Sequence, residues 1–161
     1  MSRAYKLTLY GLGAIAVVIV TVIVTLNIQH EQRRLTPEKL EAARRLWAAA
    51  QLWDYDVEVT VSGRTRGVYC VQVRGGRPVA GTMNGQPFDP PERARIWTMD
   101  ELLYTILERD LENDAKPDSP SVYTQVEFDP HDGHLIHYLR SSALQHVTLD
   151  VRLERNDKVT R

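Results

Sequence analysis

Three histidines and two aspartates lie within a short stretch near the end of the chain, between Asp129 and His137. Imidazole and carboxylate groups are ligands that zinc and similar ions accept in proteins. A strand is predicted to follow this stretch, and side chains three residues apart on a strand, such as His134 and His137, point to opposite faces. The residues that remain as candidate metal ligands are His131, Asp132 and His134.

The same residues have a second interpretation, which is a polar hairpin turn with solvated histidines. The pentapeptide DPHDG at positions 129–133 combines proline, aspartate and glycine, which is typical of a tight turn. We favour this interpretation, so the sequence predicts no bound cofactor and no catalytic residue. A metal-dependent or hydrolytic enzyme that uses the turn is the alternative.

An acidic row is formed by Asp54, Asp56 and Glu58, which alternate with apolar residues. Alternation with a period of two places the three carboxylates on one face of a strand. Neighbouring like charges raise each other's pKa values, so such a row suits a cation or a basic protein segment. These three acids are the predicted partner-binding residues, and a solvated outer face is the other interpretation.

The single cysteine and the tryptophans are predicted to be structural. Cys70 lies in the apolar stretch VYCVQV and is expected in the core, where a thiol is unreactive without a nearby base. Trp47, Trp53 and Trp97 suit a ligand platform. Tryptophans at the ends of helices and strands, however, more often close a core or anchor a membrane interface.

Composition limits the classes of function. The chain has 161 residues, with 20 lysines and arginines against 21 aspartates and glutamates, and one cysteine. A net charge of −1 excludes the basic excess that a general nucleic-acid binder needs. One cysteine excludes an intramolecular disulfide and a multi-cysteine metal site. The length allows one small domain and one special segment.

The special segment runs from Leu7 to Leu26, a stretch of twenty residues without a charge. A helix of this length spans roughly 30 Å, the thickness of the hydrocarbon core of a bilayer. No small-residue cleavage site follows it, which favours an uncleaved signal-anchor over a signal peptide. We therefore expect a single-pass membrane protein with a cytoplasmic tail at 1–6, a transmembrane helix at 7–27 and a linker at 28–35.

Local patterns predict a folded domain at 36–155, followed by a frayed tail at 156–161. Thr36, Pro37 and Glu38 combine an N-cap, a first-turn proline and a first-turn acid, so a helix is expected to begin there. A capping box at Thr98 and Glu101 starts a second helix. Three alternating stretches follow each helix and predict three strands each. A proline-rich connection at 86–95 separates the two halves.

The resulting order, α-β-β-β-α-β-β-β, predicts an α+β domain with two layers, an antiparallel sheet carrying both helices on one face, after the single transmembrane helix. Each half repeats a helix and three strands, which is compatible with a diverged duplication. The residues expected in the core are Trp47, Val59, Val71, Leu103, Ile106, Val126 and Leu149.

Several short motifs are spaced as in a known family. They are Trp47 and Tyr55 with seven residues between them, V-x-V before Gly75-Gly76, the helix start at 98–102, and V-E-F-D at 126–129 with Gly133 after it. Residues 40–153 thereby resemble a family of bacterial envelope proteins, usually secreted, lipid-anchored or membrane-tethered, that is classed as a domain of unknown function. The chain departs from it at His134-Leu135, where members often have Tyr-Pro, and lacks cysteines that some members carry near the first two strands.

The resemblance implies an extracytoplasmic location and brings no activity. We therefore expect a membrane-tethered, non-enzymatic binding or scaffold module at the bacterial inner membrane, with an accessory role in a membrane complex. The expected partners are the lipid bilayer, through Leu7 to Leu26, and a protein of the envelope, and a nucleic acid is not expected.

Overall fold

The computed structural model describes residues 33–64, 66–116, 122–143 and 146–156. The predicted transmembrane segment at 7–27 and most of the predicted tail at 156–161 lie outside these ranges. Within the described ranges, no helix is both long and apolar enough to cross a membrane. A compact unit begins at Leu35, one residue before the predicted start of the domain.

The described chain is an α+β fold with an antiparallel sheet, which confirms the predicted class. The helices are α1 (Pro37–Ala50), a 3-10 helix (Pro91–Trp97), α2 (Met99–Glu101), a π-helical turn (Leu102–Ile106) and α3 (Leu107–Asp114). The strands are β1 (Tyr55–Gly63), β2 (Gly67–Arg74), β3 (Arg77–Met83), β4 (Gln86–Pro87), β5 (Tyr123–Phe128), β6 (Leu135–Ser141) and β7 (His146–Arg155). β4, the 3-10 helix and the π-helical turn were not predicted, and the first two lie in or next to the proline-rich connection.

The first helix begins at the predicted residue. The Thr36 Oγ1 accepts a hydrogen bond from the Lys39 backbone N–H at 3.4 Å, which caps the first turn. Gln51 then adopts a left-handed conformation with φ 48°, and the helix ends there. One face of α1 is apolar and packs onto the sheet, and its buried residues are Leu40, Ala43 and Trp47.

The sheet has the strand order β4-β3-β2-β1-β7-β6-β5. Two meanders, β1 to β3 and β5 to β7, join through the antiparallel pair of β1 and β7, in which Val59 lies opposite Val151. A duplicated unit would place β1 and β5 at equivalent positions, but β1 is central and β5 is at an edge. The strand order therefore does not support the duplication.

The stretch α2, π turn and α3 is continuous and is called the second helix below. The capping box predicted at its start forms, with the Thr98 Oγ1 accepting from the Glu101 backbone N–H at 3.4 Å. A π-helical turn leaves a carbonyl without its usual partner. The Leu103 carbonyl accepts instead from the Arg44 guanidinium of α1, at 2.8 and 3.1 Å.

The helices cover one face of the sheet, and the core lies between the two layers. Trp47 of α1 meets Tyr55 of β1 edge-to-face, with 5.5 Å between the ring centroids. Six of the seven predicted core residues are buried, namely Trp47, Val59, Val71, Leu103, Val126 and Leu149. Ile106 is only partly buried, because the π turn changes which positions of the second helix face the sheet.

Candidate functional site

The turn between β5 and β6 is shaped by the side chain of Asp129. Its Oδ1 accepts hydrogen bonds from the backbone N–H groups of His131 at 2.8 Å and Asp132 at 3.3 Å. The Asp129 backbone also bonds to those of Gly133 and His134. These bonds are typical of an Asx turn, so the pentapeptide forms the tight turn that its composition predicts.

Asp132 is the central group of this turn. Its side chain is 3% exposed, its Oδ1 lies 2.5 Å from the His134 Nδ1, and its Oδ2 accepts from Arg155 at 2.7 Å. Burial would raise the pKa of this carboxyl, but hydrogen bonds from the His134 backbone, the His134 imidazole and Arg155 outweigh burial and hold the pKa below its usual range. Asp132 is therefore a buried carboxylate with both oxygens occupied.

Gly133 presses the turn against α1. A Cβ at this position would lie 2.1 Å from the Ala43 carbonyl oxygen, and the φ of +75° is one that other residues rarely adopt. On the other side of the turn, the Leu135 backbone N–H points at the sulfur of Met99, 3.3 Å away. The turn is thus fixed by α1, by the second helix and, through Arg155, by β7.

The structure brings together only part of the predicted metal-ligand set. Ligand atoms of Asp129, Asp132 and His134 lie within 4.8 Å of one another, and the His131 imidazole is not part of this group. His137 lies apart, 2.8 Å from the Asp150 carboxylate. A cation at the turn would compete with His134 and Arg155 for the oxygens of Asp132.

The predicted acidic row divides into two parts. Asp54 precedes β1, and its Oδ1 accepts a hydrogen bond from the Gly75 backbone N–H at 2.6 Å. Asp54 therefore holds the turn between β2 and β3. Asp56 and Glu58 lie within β1 on the face of the sheet opposite the helices, which is called the helix-free face below, and both are partly exposed.

Arginines accompany both acids of the helix-free face. The Arg74 Nη1 lies 2.7 Å from the Asp56 Oδ1 in an ion pair, and the nearby carboxylate raises the pKa of Arg74. The Arg152 guanidinium is 3.9 Å from the Glu58 Oε1, and the Arg152 side chain is 85% exposed. A shallow depression of about 290 Å³ lies here, and its lining includes Asp56, Glu58, Cys70, Gln72, Arg152 and Glu154. Glu58 has the weaker of the two ion pairs.

Cys70 was predicted in the core, and this prediction is wrong. The residue lies opposite Glu58 in the pair of β1 and β2, on the helix-free face, where it is partly exposed. In the stretch VYCVQV, Gln72 shares the face of Cys70 and is the one polar residue, so the sequence carried a weak signal for the outward face that the apolar neighbours outweighed in the prediction. Burial and the Glu58 charge raise the pKa of the thiol, which keeps it protonated and disfavours a nucleophilic role.

The three tryptophans do not share a ligand platform. Trp47 is buried, and its indole N–H donates to the Asp100 carboxylate at 2.8 Å. Trp97 stacks on Tyr69 with 3.9 Å between the ring centroids. Trp53 is 62% exposed. Two of the three therefore close the core, as predicted, and Trp53 faces solvent.

A polar network between the second helix and β6 was not predicted. The Tyr138 hydroxyl donates to the buried Asp110 at 2.6 Å, and Arg140 donates to Asp114 at 2.7 Å. Burial and the Asp110 charge raise the pKa of Tyr138, so the phenol stays protonated. The available sequence signal was an acid, Asp110, at helical spacing from Leu107 on the apolar face.

Comparison of the chain with protein-family models, curated proteins and solved structures finds no match.

Proposed function

We propose that this chain is a membrane-tethered, non-enzymatic binding module of the bacterial envelope, and that it serves as an accessory subunit of a membrane complex. In this proposal, the uncharged segment from Leu7 to Leu26 crosses the inner membrane, and residues 28–35 connect it to an extracytoplasmic domain. The proposed docking surface is the helix-free face of the sheet, with its centre at Asp56 and Glu58.

The main support for this proposal is the partly exposed carboxylate of Glu58 at the centre of the helix-free face. An antiparallel sheet tolerates a solvated face, so the face needs no cover for stability. Glu58 is 43% exposed, and its partners among the described residues are held at long distances: the Arg152 guanidinium lies 3.9 Å from Oε1 and is itself mostly in solvent, and the Cys70 Sγ lies 3.8 Å from Oε2. An exposed pair of this kind contributes about 1 kcal/mol or less, so a partner can replace it at small cost.

A basic protein segment is the partner that this surface fits. A lysine or arginine from the partner would enter the depression between β1, β2 and β7 and displace Arg152 from Glu58. Because these groups are exposed, the attraction should weaken as the ionic strength rises.

A paired-variant experiment tests the docking surface. The intact protein is purified from membranes in mild detergent at low salt, and co-purifying proteins are quantified for three chains: the native one, Asp56→Asn with Glu58→Gln, and a control with Asp89→Asn and Glu112→Gln. The control removes the same charge from exposed positions outside the helix-free face. Asp54 is retained in both variants because it holds a turn.

We expect the Asp56/Glu58 variant to lose a partner that the native chain and the control retain, and we expect added salt to release the same partner. Equal recovery from both variants, with both folded, would exclude the helix-free face as the docking surface.

The tether is tested separately with a compartment-sensitive reporter fused after Arg161. Activity of a reporter that works only outside the cytoplasm is expected. Activity only of the cytoplasmic reporter would contradict the proposed orientation.

A metal-dependent or hydrolytic enzyme is the second proposal, and the grouping of Asp129, Asp132 and His134 within 4.8 Å supports it. Elemental analysis of the purified chain and of its His131→Ala and His134→Ala variants separates the two proposals. A stoichiometric metal that disappears with His134→Ala would favour the enzyme. A metal-free native chain that retains its partner would favour the binding module.

A further inference from the structure

The strand pairing brings several loops to one end of the sheet. Gly63 at the end of β1 lies opposite Val147, near the start of β7, and the start of β7 pairs with the end of β6. The end of β6, at Ser141, in turn lies opposite Tyr123 at the start of β5. The β1–β2 loop at 63–67 and the start of β5 are therefore at the same end of the sheet, which is called the tether end below.

The chain enters the domain at the tether end. Leu35 is 6% exposed, and its backbone N–H donates to the Thr124 carbonyl of β5 at 2.9 Å. This bond fixes the chain to the sheet one residue before α1 is capped. Residues 28–34, which connect Leu35 to the proposed membrane span, extend to at most about 25 to 30 Å. In the proposed tether, the tether end is therefore within reach of the lipid headgroups.

Two arginines stand on the β1–β2 loop of the tether end. Arg64 and Arg66 are both exposed, and the Arg66 Nε donates to the Gly63 carbonyl at 3.3 Å. No carboxylate of the described residues pairs with either guanidinium. Guanidinium groups bind phosphate oxygens through charge-assisted hydrogen bonds, so these two have donors available for a phosphate.

The charges on the helix ends near these arginines balance each other. The end of α3 reaches the tether end, because the Thr124 hydroxyl donates to Asp114 at 3.2 Å, and Arg140 lies 2.7 Å from the same carboxylate. The acids of these helix ends are Glu38, Glu112 and Asp114, and the basic residues beside them are Lys39, Lys116 and Arg140. Arg64 and Arg66 are thus an excess of positive charge among the described residues at this end.

We propose that the tether end of the domain binds the headgroups of acidic phospholipids through Arg64 and Arg66. The proposal rests on the proposed membrane tether and adds to it a second lipid contact, made by the folded domain. An arginine near an anionic lipid surface strengthens the contact roughly fivefold. Two arginines are sufficient because the tether already holds the loop at a high effective concentration near the lipids.

This contact would also orient the domain. With the tether end on the headgroups, the strands run away from the bilayer, and the helix-free face stays accessible to a protein partner. The lipid contact and the proposed docking surface therefore use different parts of the domain.

Energy transfer from a fluorophore on the domain to acceptor-labelled lipid headgroups tests the proposal. The full chain carries Cys70→Ser, so that one introduced cysteine takes the label, and it is reconstituted in vesicles of phosphatidylcholine with or without phosphatidylglycerol. The label positions are Val68→Cys, beside the β1–β2 loop, and Val79→Cys, towards the opposite end of the sheet, and both side chains are exposed. The two positions are roughly 15 Å apart along the strands, given a rise of about 3.4 Å per residue.

Each label position is combined with a charge variant and a matched control. The variant is Arg64→Gln with Arg66→Gln. The control is Arg45→Gln with Arg77→Gln, which removes the same charge from exposed positions away from the tether end. Arg77 begins β3 at the opposite end, and Arg45 follows Ala43, whose carbonyl lies against the 129–134 turn. Circular dichroism checks that each chain is folded.

In vesicles with phosphatidylglycerol, we expect more energy transfer from position 68 than from position 79. This excess should be lost in the Arg64/Arg66 variant, in pure phosphatidylcholine and at high salt, and the control should keep it. Equal transfer from both positions would overturn the proposal. An excess that survives in the variant or in pure phosphatidylcholine, or that the control loses as well, would also overturn it. In each of these cases the tether itself still stands if the chain floats with the vesicles after an alkaline wash. Failure to float would overturn the proposed tether and this inference together.

Discussion

The two faces of the sheet both carry carboxylates beside arginines, but the pairs differ in how they are used. On the helix-covered side, Asp132 is 3% exposed and lies 2.7 Å from Arg155. On the helix-free face, Glu58 is 43% exposed and lies 3.9 Å from Arg152. Arg155 is half exposed, but its removal would leave the buried Asp132 carboxylate without one of its partners, whereas pairs in which both groups are exposed contribute little. The covered carboxylates are therefore committed to the fold, and the exposed ones remain available to another molecule.

This contrast also separates the two regions that the sequence singled out. The turn at 129–134 has a suggestive composition, but its polar groups bond to each other, to the backbone and to Arg155. The acidic positions of β1 have a plainer composition, yet their charges are only partly compensated. Candidate residues are thus ranked better by unused bonding capacity than by residue type.

The largest difference between the two faces is expected in the loss of unfolding free energy when an apolar side chain is truncated to alanine. Leu103 is fully buried under the second helix, so Leu103→Ala should lower the free energy of unfolding by roughly 2 to 5 kcal/mol. Val68 is 37% exposed on the helix-free face, and Val68→Ala should cost less than about 1 kcal/mol. Urea titration of both variants measures the difference. Similar losses would mean that the helices do not cover the face assigned to them.

The next largest effect concerns the contact between the 129–134 turn and α1. Gly133→Ala and Gly85→Ala both place a side chain at positive φ, +75° and +80°, but only the first would press a Cβ against the Ala43 carbonyl. The excess cost of Gly133→Ala over Gly85→Ala should be about 1 to 3 kcal/mol, the usual penalty of overpacking. Equal destabilisation in urea would show that the turn is not held against the helix.

Local signals in the sequence were sufficient to place the helix starts and several strands. The N-cap at Thr36 and the capping box at Thr98 act within four residues, and the alternation of β1 is visible in its own stretch. The pairing of β1 with β7 is not visible in any local stretch, because it joins residues about 90 positions apart. Periodicity states which residues share a face, but not which strand lies beside them.

The candidate site was predictable to a similar degree. The composition of 129–133 predicted a turn, and the structure contains it. The hydrogen bond from Arg155 to Asp132 joins residues 23 positions apart in the sequence. It depends on the strand order, so no local pattern reveals it. The π turn under Arg44 was missed for the same reason, since it depends on what packs against the second helix. The outward position of Cys70 had one weak local signal, the polar residue Gln72 on the same face.

The commitment of Asp132 to the fold predicts a pH dependence. Its pKa in the folded chain lies below the ordinary value of 3.8, so its bonds stabilise the fold fully above the unfolded pKa and are lost as the pH falls through the folded pKa. Asp132→Asn should cost about 1 to 2 kcal/mol at neutral pH. The difference from the native chain should shrink as the pH falls below about 4. Urea titrations of the native chain and the variant over this range measure it. A difference that stays constant with pH would contradict the role given to Asp132.

The smallest change in the free energy of unfolding is expected for the exposed acids of the helix-free face. Asp56→Asn with Glu58→Gln removes two charges, but Arg74 and Arg152 are themselves partly or largely exposed and are not left buried without a partner. The variant should therefore change the free energy of unfolding by less than about 1 kcal/mol, and the change should diminish further in high salt. Urea titrations at low and high salt measure both quantities. A loss comparable to that of Asp132→Asn would mean that these acids, too, are committed to the fold. A negligible loss together with a lost partner would show that the same two carboxylates act in binding and hardly contribute to folding.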